Sequence, residues 1–410
     1  METLGARIKR LRKEKKITQS ALVGDRLTKG MLSLIENDKA KPSMESLTYI
    51  AQQLHVQVEQ LMAPVSQDTL RALLADIKKQ GGFSYPYNHH QIEQNFVKIQ
   101  HYVAQMPHNF EGALLLRYYA MFGEILGKET APYLEQAMQI FYDSNAMDEW
   151  LDTKFWQINT LSHGKKYHEA LQHGIALKQE CEQQQYVIST EKQIHLLFVI
   201  SALHLAVNNL ADSYHFMLEA YDISMATNQL LRIDDILRVL ILITTLENQH
   251  NEASDFLQKL YLFSCFKNDD PAWASYYIMK AHLAYLHKDY TEMLRAAKRL
   301  TSFAKEDSAF HSLSYYYLGT AHYLLGHKKQ AFQAFDHINE ILPNGAFIHP
   351  YDRMGLCELL SYKARLLHEY GNAEALPLIT ALYEEAQSLT SSLQVTAIIE
   401  EAYALITAPQ

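Results

Sequence analysis

Cysteine is scarce. The 410 residues hold three, Cys181, Cys265 and Cys357. They are far apart, odd in number and at no metal-ligand spacing, which excludes a disulfide framework or a cysteine-based zinc module. All three are expected to be buried thiols of a reducing compartment. Long apolar runs are missing too. The nearest, Ile236 to Thr245, is broken by Arg238 and falls short of the roughly 18 residues a membrane helix needs. At the N-terminus Arg7, Lys9, Arg10, Arg12 and Lys13 stand where a signal peptide would carry its apolar core. A cytoplasmic protein with no membrane partner is expected. The sequence also lacks a P-loop, a dinucleotide-binding glycine fingerprint, an HExxH zinc motif and a nucleophile elbow, so neither an enzyme nor a cofactor is expected. Histidine is plentiful, at 20, but His89-His90 and the His163/His168 pair lack ligand spacing. They are expected on helix surfaces, with no metal site.

What is present is an ordinary globular balance, 48% hydrophobic and 20% charged, on a chain long enough for more than one domain. Charge is unevenly divided. Residues 1–62 carry eleven Lys/Arg against seven Asp/Glu, a net +4, and the remainder carries 26 against 39, a net −13. A small basic module on a large acidic body confines contacts with a polyanion to one end.

The first 62 residues read as five short helices. Leu4, Ile8 and Leu11 form one stripe, and Thr18 can cap a helix carrying Ala21 and Leu22. Asp25-Arg26 is a polar break. A further helix from about Thr28 to Glu36 places Met31, Leu32 and Ile35 at inward spacing. The run Asn37 to Ser43 is a turn ended by Pro42, and Ser43 can cap the helix Met44 to Leu54. Val58, Leu61 and Met62 close the set.

The string Thr18-Gln19, Leu22, Ser33-Leu34-Ile35-Glu36-Asn37, Lys41-Pro42-Ser43 and Leu47 resembles the Xre/Cro-type helix-turn-helix domain. Two departures stand out: Asp38 where that family usually has glycine, and Leu34 where an arginine is common. Asp tolerates the left-handed conformation, whereas Leu34 removes a possible phosphate or base contact. The resemblance implies that the helix after the turn enters the major groove. Thr28, Lys29, Gly30 and Ser33 are then the candidate base readers. Lys29 can donate to guanine, and Gly30 offers only close backbone approach. Gln19, Lys39 and Lys41 are the candidate phosphate contacts that set register.

Asp68 to Gln80 reads as an amphipathic helix, ended by Gly81-Gly82 and the non-helical stretch Phe83 to Asn88, a linker between domains. Beyond it, helical patterns of about 14 to 20 residues alternate with short polar turns, with no strand-like alternation. Tyr315, Leu318, Gly319, His322, Ala331, Phe335 and Pro343 keep the tetratricopeptide spacing, with His322 where an aromatic is usual. Gly319 and Ala331 let the two helices of a unit approach, Phe335 fills the gap to the next unit, and Pro343 stops the second helix. Weaker copies align on Ala170, Met293 and Ala375, and more loosely near Ala253. The expected fold class is all-α: an N-terminal five-helix domain (1–64), a linker helix and break (65–88), and a tetratricopeptide-like α-solenoid (89–410). Six to eight helix pairs should curve into a right-handed superhelix whose first helices line a concave surface.

In the register of the clear unit, Leu313, Tyr316, Thr320 and Tyr323 face inward. Phe155 and Asn159, Ile278, His282 and Tyr285, and Arg238 and Thr245 are their counterparts. The candidate peptide-binding residues are Asn159, Arg238, His282, Tyr316, Thr320 and Tyr323. An asparagine can pair with a peptide backbone through donor and acceptor, and an arginine can take a carboxylate.

A helix-turn-helix followed by such an array resembles the RNPP family of peptide-responsive regulators of Gram-positive bacteria, which takes in the PlcR, NprR, PrgX and Rgg proteins. The resemblance implies a homodimer or higher homo-oligomer that binds double-stranded DNA at an inverted repeat and senses a short signalling peptide in quorum sensing. NprR-like members also bind a sporulation phosphorelay protein. The alternative is accordingly a repeat scaffold or anti-kinase regulator acting on a signalling protein.

Overall fold

The computed structural model describes residues 3–61, 65–80, 88–305, 309–338, 349–389 and 393–408. The described residues form helices and connections, with no strand among them. They fall into two compact units, residues 1–153 and 154–410. Among the described residues no helix is long and apolar enough to cross a membrane.

The first unit opens with α1 (Leu4–Glu14), α2 (Gln19–Val23), α3 (Lys29–Glu36), α4 (Met44–Gln53) and α5 (Val58–Leu61). Four of the five are fixed at their N-termini by a hydroxyl. Thr3, Thr18, Thr28 and Ser43 accept hydrogen bonds from the amides of Ala6, Ala21, Met31 and Ser46, each satisfying one otherwise orphaned donor. Ile8, Leu22, Leu32, Ile35, Leu47, Ile50 and Leu54 make one core. Met31 does not join it. It is 45% exposed, because the buried arc of α3 runs through Leu32, Ile35 and Glu36 and Met31 falls outside it. Met62 lies outside the described residues.

The unit continues with α6 (Gln67–Lys79), α7 (His89–Gln100), a 3-10 turn (Val103–Gln105), α8 (Phe110–Ile125), α9 (Ala131–Asp143) and the start of α10 (Met147–His163). Ser66 caps α6 and Asn88 caps α7. Residues 81–87, expected as the inter-domain break, lie outside the described residues, as does Pro343.

The second unit holds α11 (Tyr167–Gln183), α12 (Thr190–Ala206), α13 (Leu210–Thr227), α14 (Ile233–Leu246), α15 (His250–Lys267), α16 (Asp270–Leu286), α17 (Tyr290–Phe303), α18 (Ala309–Leu324), α19 (Lys328–Asp336), α20 (Pro350–Glu369), α21 (Ala375–Ser388) and α22 (Ala397–Thr407). From α12 onward each helix packs on the next, and α12, α14, α16, α18, α20 and α22 also touch one another in succession. The first helices of successive pairs therefore form a continuous inner layer, the stacking of a helical repeat array. Ala170, Ala253, Met293, Ala331 and Ala375 are all buried in the first turns of second helices, where small or flexible side chains let a pair close. A methyl on Gly319 would come within 2.5 Å of Phe335, so Phe335 packs closely against the first helix of its own pair.

Turns between helices reverse on residues with positive φ: Asn208, Asn228, Asn248, Asn268 and Lys288. Asparagine adopts this left-handed geometry more readily than most residues. Cys181 and Cys357 are buried, and burial pushes their thiols up to about 11 and about 12. Cys265 is exposed, correcting the expectation of three buried thiols. It sits on the outer helix α15, where one face meets solvent.

Candidate DNA-reading face and ligand cavity

The helix-turn-helix is locked from beneath by a buried carboxylate. Glu36 at the end of α3 accepts from Arg12 on α1 at 2.6 and 2.9 Å and from Gln19 on α2 at 2.8 Å. Burial alone would raise the Glu36 pKa. The hydrogen bonds from Arg12 and Gln19, with the charges of Arg12 and Lys9, hold it below the usual carboxylate value. Gln19 therefore ties the motif together as well as lying at its start. Asp38 adopts φ 57°, the left-handed geometry anticipated for it. Its carboxylate takes the Gly5 amide at 3.0 Å and the Thr3 hydroxyl, fastening the turn to the start of α1.

With the core side of α3 occupied, its outer face is open. Thr28, Lys29 and Gly30 are exposed and Ser33 is half-buried. Thr28 also caps the helix. A Cβ on Gly30 would meet nothing nearer than Thr28 Oγ1 at 4.0 Å, so packing inside the chain does not demand glycine there. Leu34 and Met31, 44% and 45% exposed, lend this face an apolar character. Lys39 and Lys41 are exposed on the turn after α3.

In the second unit a cavity of about 580 Å³ opens on the inner helices, lined from α14, α16, α18 and α20. Arg238, Thr245, Ile278, His282, Tyr285 and Leu313 meet there. Most of the wall is apolar: Val239, Leu242, Ile278, Leu313, Met354 and Leu359. His282 shares a hydrogen bond of 3.1 Å with Tyr317, and burial pushes its pKa down to about 4, so it is neutral. Arg238 pairs with Asp235, and Tyr285 donates to Glu358.

The other inward candidates lie elsewhere. Tyr316 and Thr320 are fully buried, and the Thr320 hydroxyl donates to the Leu359 carbonyl at 3.1 Å. They pack helix on helix instead of facing the cavity, whose α18 positions are Leu313 and Tyr317. Tyr323 donates to Glu369 at 2.8 Å, near the end of α18. Asn159 is exposed, Phe155 is buried edge-on against His195, and neither lines the cavity. Tyr317, Asp235, Asp352 and Glu358 were missed. Tyr317 was within reach, since it follows Leu313 by one helical turn, whereas nothing local marks the α20 acids. His89, His90, His163 and His168 are all exposed.

These features define a helix-turn-helix protein with a helical repeat unit. Residues 8–61 match the helix-turn-helix family, HTH_3. No curated protein matches the chain. Among solved structures, it is similar to Bacillus thuringiensis PlcR in complex with the peptide PapR7 and DNA, at 14% identity over 65% of this chain and 99% of that one, TM-score 0.33. It is similar to a Rap protein complexed with competence and sporulation factor, at 15% identity over 83% and 97%, TM-score 0.49. It is similar to the apo quorum sensor NprR of B. thuringiensis, at 14% identity over 83% and 96%, TM-score 0.44.

Proposed function

We propose that this chain is a cytoplasmic, sequence-specific DNA-binding transcription regulator, with no enzymatic activity, whose repeat unit senses a short signalling peptide. The observation that carries this is the pairing of an open recognition helix with a mainly apolar cavity on the inner layer of a separate repeat unit. Residues 1–64 read DNA, residues 65–88 connect, and residues 89–410 bind peptide and oligomerise. Thr28, Lys29, Gly30 and Ser33 meet base edges, and Gln19, Lys39 and Lys41 meet phosphates. The cavity volume falls in the roughly 300–1,000 Å³ range of ligand pockets.

A homodimer must set its two recognition helices about 34 Å apart to meet successive half-sites. Stacked helix pairs change curvature by small rotations, and a ligand bridging α14, α16, α18 and α20 biases that curvature. It shifts the equilibrium only by its differential affinity for the two forms, so peptide and DNA binding are coupled.

The test is sequencing of genomic fragments retained by the purified protein at near-physiological salt, beside a Gln19→Ala/Lys29→Ala variant. Enrichment of an inverted repeat that the variant loses supports the regulator. Diffuse, salt-sensitive retention that culture peptide extracts fail to sharpen puts the repeat scaffold ahead.

A further inference from the structure

We infer that the outer face of α3 reads thymine by its C5 methyl group, and that Leu34 and Met31 are the side chains that cover the methyl. This rests on the DNA-reading proposal above and names the base that the helix selects. Successive residues of an α-helix turn by about 100° around its axis. Leu32, Ile35 and Glu36 are the buried positions of α3, and Gly30 and Leu34 lie opposite the middle of that arc. Met31 and Ser33 flank them, while Lys29 falls beside Glu36 at one edge of the buried arc. Leucine, not lysine, therefore stands at the centre of the presented face.

That centre has little to hydrogen-bond with. Leu34 is 44% exposed and Met31 45%, and neither side chain offers a base edge a donor. Gly30 adds no side chain, and nothing lies nearer to the place of its Cβ than Thr28 Oγ1 at 4.0 Å. Ser33 is half-buried on one flank. The face is thus two long apolar side chains beside a glycine, which lets the backbone come close to whatever the face meets.

The surrounding charge names what that is. Lys29, Lys39 and Lys41 are exposed on α3 and the turn after it, in a module that carries eleven Lys/Arg against seven Asp/Glu over residues 1–62. The partner must offer anions at the rim and an apolar group at the centre. Duplex DNA offers phosphates to the lysines. Among the base edges of its major groove, the C5 methyl of thymine is the apolar group, and the others present donors and acceptors. A leucine and a methionine have no use for those donors and acceptors, and they gain by covering the methyl.

The test selects duplexes from a randomised pool with the full-length protein, with and without culture peptide extract. Each thymine of the enriched half-site is then exchanged for uracil, one position at a time. Uracil pairs with adenine as thymine does and keeps O4, so the exchange removes the methyl alone. Covering one methyl is worth roughly fourfold in affinity, so at least one exchange per half-site should weaken binding about fourfold by fluorescence anisotropy. Leu34→Ala or Met31→Ala should lose a similar factor on the thymine duplex and stop distinguishing it from the uracil duplex. Both side chains are exposed, and thermal melts confirm that each variant folds. If a variant does not fold, the exchange on the unaltered protein decides. An enriched half-site whose uracil versions all bind as tightly as the original overturns the inference and leaves the DNA-binding regulator standing. A uracil penalty that persists unchanged in both variants overturns the assignment to Leu34 and Met31, because the methyl would then act on duplex shape or on another residue. Retention of no duplex under either condition overturns the DNA-reading proposal, and this inference with it.

Discussion

Arg12 and Glu36 meet across 24 residues in a two-point grip, with Nε on Oε1 at 2.6 Å and a terminal nitrogen on Oε2 at 2.9 Å. The Glu36 side chain has no exposed surface, so removing the arginine strands a buried charge. Arg12→Ala is expected to destabilise the helix-turn-helix by about 3–5 kcal/mol, and adding Glu36→Leu should recover much of that. Hydrogen exchange of the α1 and α3 amides measures both. A cost below about 1 kcal/mol for Arg12→Ala would show that the grip is not structural.

Acid should weaken the two units in different windows. Glu36 has its pKa lowered on folding, so its contribution is complete above the unfolded carboxylate value of about 4.3 and is lost as pH falls below that. In the repeat unit His195 and His282 stay neutral down to about 3 and about 4, with burial the leading cause. The unfolded chain protonates them below about 6.5, so it binds protons that the folded unit refuses. Stability there should fall from pH 6.5 toward pH 4, by about 1.4 kcal/mol per pH unit for each histidine. Denaturant melts across pH, read by exchange in α14 and α16, should show this slope, and His282→Phe should flatten it. A repeat unit equally stable at pH 6.5 and 4.5 would contradict the assignment.

The helix-turn-helix was legible because its signals are local. Thr18, Thr28 and Ser43 each announce a helix start, and Asp38 suits a left-handed turn. Met31 lies outside the buried arc of α3, whose opposite flank is Glu36, and only partners on other helices, Arg12 and Gln19, make a buried glutamate tolerable there. In the repeats, Gly319 and Ala331 fix how two helices of a pair approach but not how the first is rotated about its axis. That one-residue ambiguity exchanged Tyr316 for Tyr317. Asn208, Asn228, Asn248 and Asn268 recur every 20 residues as left-handed turn closers. This period is present in the sequence, at turn positions and not at the tetratricopeptide signature positions.

At Gly30 the proposed DNA reading sets stability and recognition against each other. Gly30 lies in the first turn of α3 with open space around its Cβ and should accept alanine with a gain of up to about 0.8 kcal/mol. On the proposed reading, in which the outer face of α3 meets the groove, an added methyl also holds the backbone off the DNA. Gly30→Ala is therefore expected to raise the melting temperature while lowering affinity for the cognate DNA site about tenfold. Fluorescence anisotropy on a labelled duplex and a thermal melt read the two effects separately. Unchanged affinity would place Gly30 away from the interface.

Gly319 presents the reverse case. A Cβ there would lie 2.5 Å from Cδ1 and Cε1 of Phe335 and 2.8 Å from its Cζ, closer than atoms can pack. Phe335 is only 2% exposed, so the ring has little room to retreat. The helix-propensity gain of Gly319→Ala, about 1 kcal/mol, is then set against overpacking of about 1–3 kcal/mol. A net loss of up to about 2 kcal/mol follows from these two magnitudes. Phe335→Leu removes the ring edge that the methyl strikes, so in that background Gly319→Ala should turn neutral or favourable. Denaturant melts of the two single variants and the double give the coupling between the positions, expected at about 1 kcal/mol or more. Additive effects would mean that the α18–α19 pair opens to admit the methyl, and the close approach of these helices would then not depend on glycine.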